Sequence, residues 1–194
     1  MSVSVVLPAL EDEKECIRAM RNELVKHVPQ AEVVVDGSLG LANAIKLGID
    51  RTTSSIVVVM DVDGTHPPKV LPYMIQLAEH FDLVCGSRLT WKRNTQGVFS
   101  WMGNQFVKRL LGIPIRDCTS GFFVCRKDKL AEVPNSIWHG YGDYYIELLR
   151  YATVHNWLMI EVPVAYQPRM AGQGHTAIAK HSIQYLWRAV RLLK

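Results

Sequence analysis

The run Ile56-Val57-Val58-Val59-Met60-Asp61-Val62-Asp63-Gly64-Thr65-His66-Pro67-Pro68 joins five apolar residues, mostly β-branched, to two carboxylates one residue apart. A short apolar run bounded by turn residues is the pattern of a buried strand, here the centre of a parallel sheet. Open α/β sheets bind ligands beyond the carboxyl ends of their strands. The run therefore delivers Asp61 and Asp63 to the place where such folds do chemistry. On extended backbone the two carboxylates point the same way and Val62 the other. Like charges that close need something positive between them, either a hard divalent cation with oxygen ligands or a lysine or arginine. An isolated D-x-D is more plainly read as a turn cap beside a solvated neighbour, but the preceding strand and the Gly-Thr-His-Pro-Pro turn favour a site.

Working outward, strands alternate with helices. Residues 1–8 carry Val3, Val5, Val6 and Leu7 and end at Pro8, a first strand. Glu11, Asp12, Glu13 and Glu15 put negative charge at the start of a helix striped by Ile17, Met20, Leu24 and Val25. Residues 31–35 form a second strand, cut off by Asp36-Gly37-Ser38, and residues 40–49 a second helix. After the central strand, residues 68–80 read as helix, 82–85 as a short strand and Gly86-Ser87-Arg88 as a turn. This order implies βαβ units and a mainly parallel sheet flanked by helices, an α/β Rossmann-like fold.

The second half is less regular. Residues 98–111 look helical, with stop signals at Gly112 and Pro114. The polar turn Arg116-Asp117-Cys118-Thr119-Ser120-Gly121 enters an apolar run over 122–125. Residues 141–152 form a helix with Asp143 and Glu147 on one face, four residues apart, and residues 157–164 a last strand. Arg169 to His175 is a basic loop, and a helix from about Ala177 closes the chain.

Bulk properties narrow the classes. With 194 residues and 48% apolar content, the chain can bury one substantial core. A net charge of +4 is mild, and no nucleic-acid partner is expected. Cys16, Cys85, Cys118 and Cys125 show no C-x-x-C spacing, which suggests neither a zinc site nor a disulfide framework. No signal peptide or membrane-length apolar run is evident. A cytoplasmic protein with reduced thiols is the expectation.

Several of these segments together resemble a known family. Leu7-Pro8-Ala9-Leu10-Glu11-Asp12, Val34-Val35-Asp36-Gly37-Ser38 and Met60-Asp61-Val62-Asp63 with His66-Pro67-Pro68 are similar to the nucleotide-sugar half of GT-A glycosyltransferases. Val84-Cys85-Gly86-Ser87-Arg88, Asp117-Cys118-Thr119-Ser120-Gly121-Phe122, Ile146-Glu147-Leu148-Leu149 and Glu161-Val162-Pro163-Val164 narrow the resemblance to the polyprenol-phosphate mannosyl- and glucosyltransferases. The resemblance implies one GT-A domain over 1–175, followed by a basic amphipathic helix over 176–194.

It also implies roles. Pro8, Leu10, Asp12, Val34 and Asp36 would lie against the nucleobase and ribose. Asp61, Val62 and Asp63 would contact the diphosphate, with Asp63 the main ligand of a divalent cation (Mn2+ or Mg2+) and Asp61 nearer the sugar. Arg88 would hold phosphate charge, and Arg169 and His175 would close over the diphosphate. Ser120 and Arg93 would receive the phosphate of a polyprenyl phosphate acceptor. A cation at Asp63 acts as a Lewis acid on the leaving group, and arginine forks bind two phosphate oxygens at once. A phosphate acceptor is already ionised and needs no base. A hydroxyl acceptor would need one, for which Asp143 is the candidate.

The chain departs from the family pattern in four places. Asp36-Gly37-Ser38 runs almost directly into the next helix, so a βα unit is missing. Thr65 stands where the family often has a metal-binding Gln, His175 replaces a Lys, and an extra residue falls near Gly142-Asp143. The last helix mixes Ile178, Ile183, Leu186, Trp187, Val190 and Leu193 with Lys180, Arg188, Arg191 and Lys194. That composition suits a peripheral contact with an anionic membrane surface, or equally a helix packed on the body of the same domain or on a dimer partner. The reading is an inverting, metal-dependent hexosyltransferase using a nucleoside-diphosphate sugar and polyprenyl phosphate. Transfer to a glycan or protein-linked hydroxyl, and a nucleotide-sugar-binding module without turnover, are the competing readings.

Overall fold

The computed structural model describes residues 1–9, 13–38, 40–88 and 95–169. Six strands form one sheet: β1 (Val3–Pro8), β2 (Glu32–Asp36), β3 (Ile56–Val59), β4 (Leu83–Arg88), β5 (Phe123–Arg126) and β6 (Met159–Val164), in the order β2-β1-β3-β5-β4-β6. Strands β1, β2, β3, β4 and β6 run one way, and β5 alone runs against them. The helices are α1 (Lys14–His27), α2 (Leu41–Arg51), α3 (Leu71–Leu77), α4 (Thr95–Leu111), α5 (Lys127–Glu132) and α6 (Asp143–Val154).

Alternation along the strands sorts the core into two layers. Ile56 and Val58 face one side with Met20 and Leu24 of α1 and Met74 of α3. Val57 and Val59 face the other with Ile45 of α2, Val107 of α4 and Leu148 of α6. All four residues of β3 are buried, as a central strand requires. The result is a mixed α/β sheet flanked by helices on both faces.

Three local expectations change. The central strand stops at Val59, and residues 62–64 turn the chain, with Gly64 at φ +84 in the left-handed region that glycine adopts freely. Asp61 thus precedes the turn and Asp63 lies within it, so they are not neighbours on one strand face. Residues 86–88 are not a turn: β4 continues through Arg88 because β6 supplies ladder partners, Gly86 with Val162, Ser87 with Pro163 and Arg88 with Val164. The helix expected over 68–80 is a 3-10 turn at Pro68–Val70 followed by the shorter α3. The apolar run after Gly121 enters the sheet in reverse, paired antiparallel to β3 and β4. The direct passage from β2 to α2 is as expected, with Gly37, Ser38 and Gly40 in the short connection.

The reversed β5 matters for function. Its first residue, Phe123, pairs with Val59 and with Cys85, so the polar turn before it lies at the carboxyl ends of β3 and β4. Pro8 and Asp36 end β1 and β2 in register at the same edge. The ends of β4 and β6, Arg88 and Val164, complete it.

Candidate active site

The turn after β3 is fixed from below by a buried histidine. The main-chain N–H of Asp61 donates to His66 Nδ1 at 2.9 Å. His66 is 1% exposed, stacked on Phe122 with ring centroids 4.7 Å apart and edge-on to Tyr166 at 4.9 Å. Burial is the main cause that holds its pKa below the usual histidine value, against the pull of Asp61 and Asp63. A neutral ring accepting at Nδ1 carries its proton on Nε2, 3.8 Å from Asp61 Oδ2. Phe122 finds its place because Gly86 has no side chain: a Cβ there would lie 2.4 Å from Phe122 Cδ1.

Above this support the two carboxylates differ. The Asp61 side chain keeps 43% of its accessible surface, although protein atoms wall it in and raise its pKa, first through desolvation and then through the like charge of Asp63, with His66 opposing. Asp63 is 6% exposed. Its Oδ1 accepts from the Thr65 main-chain N–H at 3.0 Å and hydroxyl at 2.7 Å. Its Oδ2 lies 3.2 Å from Arg169 Nη1. Thr65 therefore orients Asp63, and its carbonyl accepts from the Gln167 N–H at 3.0 Å, tying the turn to the chain after β6. The Val62 side chain is buried in the core, so only its main chain can face a ligand.

A second polar knot surrounds Arg88. Its Nε and Nη2 donate to the two oxygens of Asp117, each at 2.6 Å, Nη2 also reaches Thr119 Oγ1 at 2.6 Å, and its main-chain N–H bonds Asp117 Oδ2 at 3.1 Å. Asn104 of α4 donates to Asp117 and accepts from the Cys118 N–H. Asp117 is 1% exposed. Burial opposes its charge, yet Arg88 prevails and holds its pKa below the usual carboxylate range; Arg88 is correspondingly raised, again against burial. The Arg88 side chain keeps 26% of its surface, opening onto a cleft of about 270 Å³ lined by Ser87, Trp101, Gln105, Arg116, Glu161 and Pro163. The Tyr166 ring lies 6.0 Å from the Arg88 guanidinium and 4.9 Å from His66, bridging the two knots.

The remaining anticipated residues make contacts of their own. Asp36 is 3% exposed; its Oδ1 accepts from the Ser38 N–H at 2.8 Å and its Oδ2 pairs with Arg51 Nη1 at 2.6 Å. Pro8 is buried beside it and Val34 is half-buried. Ser120 Oγ accepts from the Phe122 N–H at 3.4 Å. Asp143 opens α6 and folds toward Gly140, while Glu147 pairs with His139 at 2.7 Å and is buried. Leu10, Asp12, Arg93, His175 and the helix over 176–194 lie outside the described residues. Sequence reasoning assigned no role to His66, Asn104, Asp117 or Tyr166. Only His66 and Asp117 carried a signal, as buried-type polar residues inside turn motifs.

Two carboxylates at a strand-end turn, Arg169 paired with one of them, and Arg88 on the same edge make up the candidate site. The chain belongs to glycosyl transferase family 2, which it matches over residues 13–133. It is 29% identical over 127 residues to an undecaprenyl-phosphate mannosyltransferase of Micrococcus luteus, covering 61% of this chain and 51% of that protein. It is 30% identical over 147 residues to a polyprenol monophosphomannose synthase of Mycolicibacterium smegmatis, covering 69% of this chain and 54% of that protein. The chain thus spans about half the length of these relatives. Among solved structures, glucosyl-3-phosphoglycerate synthase of Mycobacterium tuberculosis, crystallised with Mn2+, uridine diphosphate and phosphoglyceric acid, superposes with a TM-score of 0.72 at 18% identity, covering 97% of this chain and 78% of that one. That likeness speaks to the fold. Among the described residues no helix is long and apolar enough to cross a membrane.

Proposed function

We propose that this protein transfers a hexosyl group, mannose or glucose, from a nucleoside-diphosphate sugar to polyprenyl phosphate with inversion. The observation that carries the reading is the meeting of Arg169 with Asp63, beside Asp61, on the edge where the Arg88–Asp117 knot also opens. The names of the relatives from Micrococcus and Mycolicibacterium support the acceptor class. We take residues 1–175 as the catalytic domain and 176–194 as an appended basic helix.

The donor set fits a divalent cation. Asp61 and Asp63 offer hard oxygen ligands, and among the described residues no cluster of three His, Cys, Asp or Glu forms a cage. Magnesium-type sites are commonly built this way, from one or two carboxylates with substrate phosphates supplying the rest. When bound, the cation supplies Lewis-acid stabilisation of the charge on the leaving diphosphate.

The residues divide the remaining tasks. Thr65 holds the Asp63 carboxylate in one orientation, and His66 holds the Asp61 main chain. Arg169 brings a planar fork suited to two phosphate oxygens, so an arriving diphosphate competes with Asp63 for it. Arg88, its fork oriented by Asp117, faces the cleft and attracts the acceptor phosphate. That phosphate monoester has its second pKa near 6 and is ionised at neutral pH. One of its oxygens forms the new bond to the anomeric carbon as the bond to the diphosphate breaks, with no proton to remove.

The test is transfer to a short-chain polyprenyl phosphate from GDP-mannose, UDP-glucose and UDP-GlcNAc, with and without Mn2+, read by the mass of the lipid product. A single preferred donor, and product lost in Asp63→Ala, supports the proposal. Transfer only to free glycan hydroxyls, abolished in Asp143→Asn, would replace it with the hydroxyl-acceptor reading. Donor binding with neither transfer nor hydrolysis would leave a binding module.

A further inference from the structure

Helix α4 carries two faces with opposite characters. Asn104, Val107 and Leu111 point inward and are 1–2% exposed. Outward, Trp101 is 47% exposed, Met102 54% and Phe106 49%. Helical spacing sets Trp101, Gln105 and Arg109 in one row and Met102 and Phe106 in the next, forming a continuous strip. The other exposed large apolar side chains, such as Val25, Tyr73 and Leu158, sit on different elements. Scattered exposure is ordinary; three large apolar side chains within six residues of one helix face are not.

Charge selects the occupant. Residues 95–111 contain no Asp or Glu, while Lys108 and Arg109 stand in the last turn, and Arg116, with 82% of its side chain accessible, follows close by. Aromatic residues mixed with cations on one helical face suit the headgroup layer of an anionic bilayer. A second copy of the chain fits less well. A two-fold contact would set this cationic face against itself, and one helix strip is small against the roughly 1,000 Å² that a stable protein interface needs. Position adds a reason. Trp101 and Gln105 line the cleft that reaches Arg88, and Asn104 on the inner side of the same helix bonds Asp117.

We infer that the outer face of α4, through Trp101, Met102, Phe106 and Arg109, is the surface by which this protein sits on an anionic lipid bilayer, with the mouth of the Arg88 cleft at the headgroup level. The inference deepens the polyprenyl-phosphate reading by naming the surface that meets the lipid. Its test needs no turnover, so the two can fail separately.

The experiment is co-sedimentation of the full chain with sucrose-loaded vesicles of phosphatidylcholine, with and without phosphatidylglycerol. Circular dichroism checks that each variant is folded. The wild type is expected to bind the anionic vesicles and to be released by salt. Trp101→Ser with Phe106→Ser should weaken the partition coefficient by about tenfold or more, and the milder Arg109→Gln by about fivefold. Trp187→Ser, in the C-terminal segment, should leave α4-dependent binding in place. Wild-type binding unaffected by the α4 variants, or lost only in Trp187→Ser, overturns the inference. So does a wild type that ignores both vesicles, including one that is dimeric by light scattering and becomes monomeric in the double variant.

Discussion

Replacing His66 with Phe isolates the hydrogen bond that anchors the Asp61–Asp63 turn. Phenylalanine keeps a flat ring of similar size, so the stack on Phe122 at 4.7 Å and 9° should survive. What is lost is the Nδ1 acceptor for the Asp61 N–H, now 2.9 Å away. A buried donor left without a partner costs about 1–3 kcal/mol. The protein can meet that cost in two ways. It can keep the turn in place and lose stability, or it can let the turn move until the N–H finds water, which displaces both carboxylates. In the second case donor affinity falls by roughly five- to 150-fold, the same free energy expressed in binding. We expect the second outcome to dominate, because Asp61 already opens to solvent at 43% side-chain accessibility and water is at hand. Urea unfolding and calorimetric titration of the preferred sugar nucleotide with Mn2+ measure the two terms. Thr52→Val serves as the control, since Thr52 Oγ1 bonds the Ile49 carbonyl at the opposite edge of the sheet. It should lose comparable stability and keep donor affinity. A His66→Phe protein that is destabilised yet binds donor like the wild type would refute the assignment of His66 to the site.

Other outcomes follow from the same geometry. Asp117→Asn breaks a bidentate pair whose carboxylate is 1% exposed, and should cost about 3–5 kcal/mol in urea unfolding at pH 7. Because the folded pKa of Asp117 is depressed, its contribution is present above the unfolded value of about 3.9 and lost as pH falls through the folded value. That part of the acid limb should therefore flatten in the variant. Arg169→Ala leaves a carboxylate with only 8% of its side chain accessible without its cation, so stability should fall by about 1–3 kcal/mol while donor affinity drops measurably by calorimetry. All four cysteines are buried and free, and burial pushes Cys85 and Cys118 up to about 12. Iodoacetamide at pH 8 should therefore leave both unmodified until urea unfolds the chain. Gly86→Ala places a Cβ 2.4 Å from Phe122 Cδ1 and should cost about 1–3 kcal/mol in thermal unfolding.

The parts of the fold legible in the sequence are those set by local pattern. Strand β1 ends at Pro8 and β3 begins at Ile56, as alternation and the β-branched run implied, and the family resemblance of the whole is confirmed over residues 13–133. The reversed entry of β5 was not legible. Phe122-Phe123-Val124-Cys125 is equally apolar in either direction, and what turns it round is the chain from Gly112 to Gly121 returning to the carboxyl edge, a non-local fact. The same holds for Gly86-Ser87-Arg88, whose small and polar residues read as a turn until β6 supplies its ladder. Asp61 and Asp63 were visible as a pair, but their unlike environments were not. Those depend on Thr65 folding back on Asp63 and on Arg169 arriving from more than a hundred residues away.

These tertiary contacts also explain how carboxylates with like charge can be held together before any ligand arrives. The support is divided by polarity. From the core side, Gly86, Phe122 and His66 form a stack that is nearly uncharged, since burial keeps His66 neutral. That stack fixes the main chain of Asp61 without neutralising its carboxylate, which stays available to a positive partner. From the solvent side, Arg169 supplies the compensating charge to Asp63 through a single nitrogen at 3.2 Å. A buried cation in the position of His66 would quench the pair permanently. A half-exposed arginine can instead be drawn off, and under the proposed function the charge that stabilises this turn is the one that would recognise the leaving diphosphate.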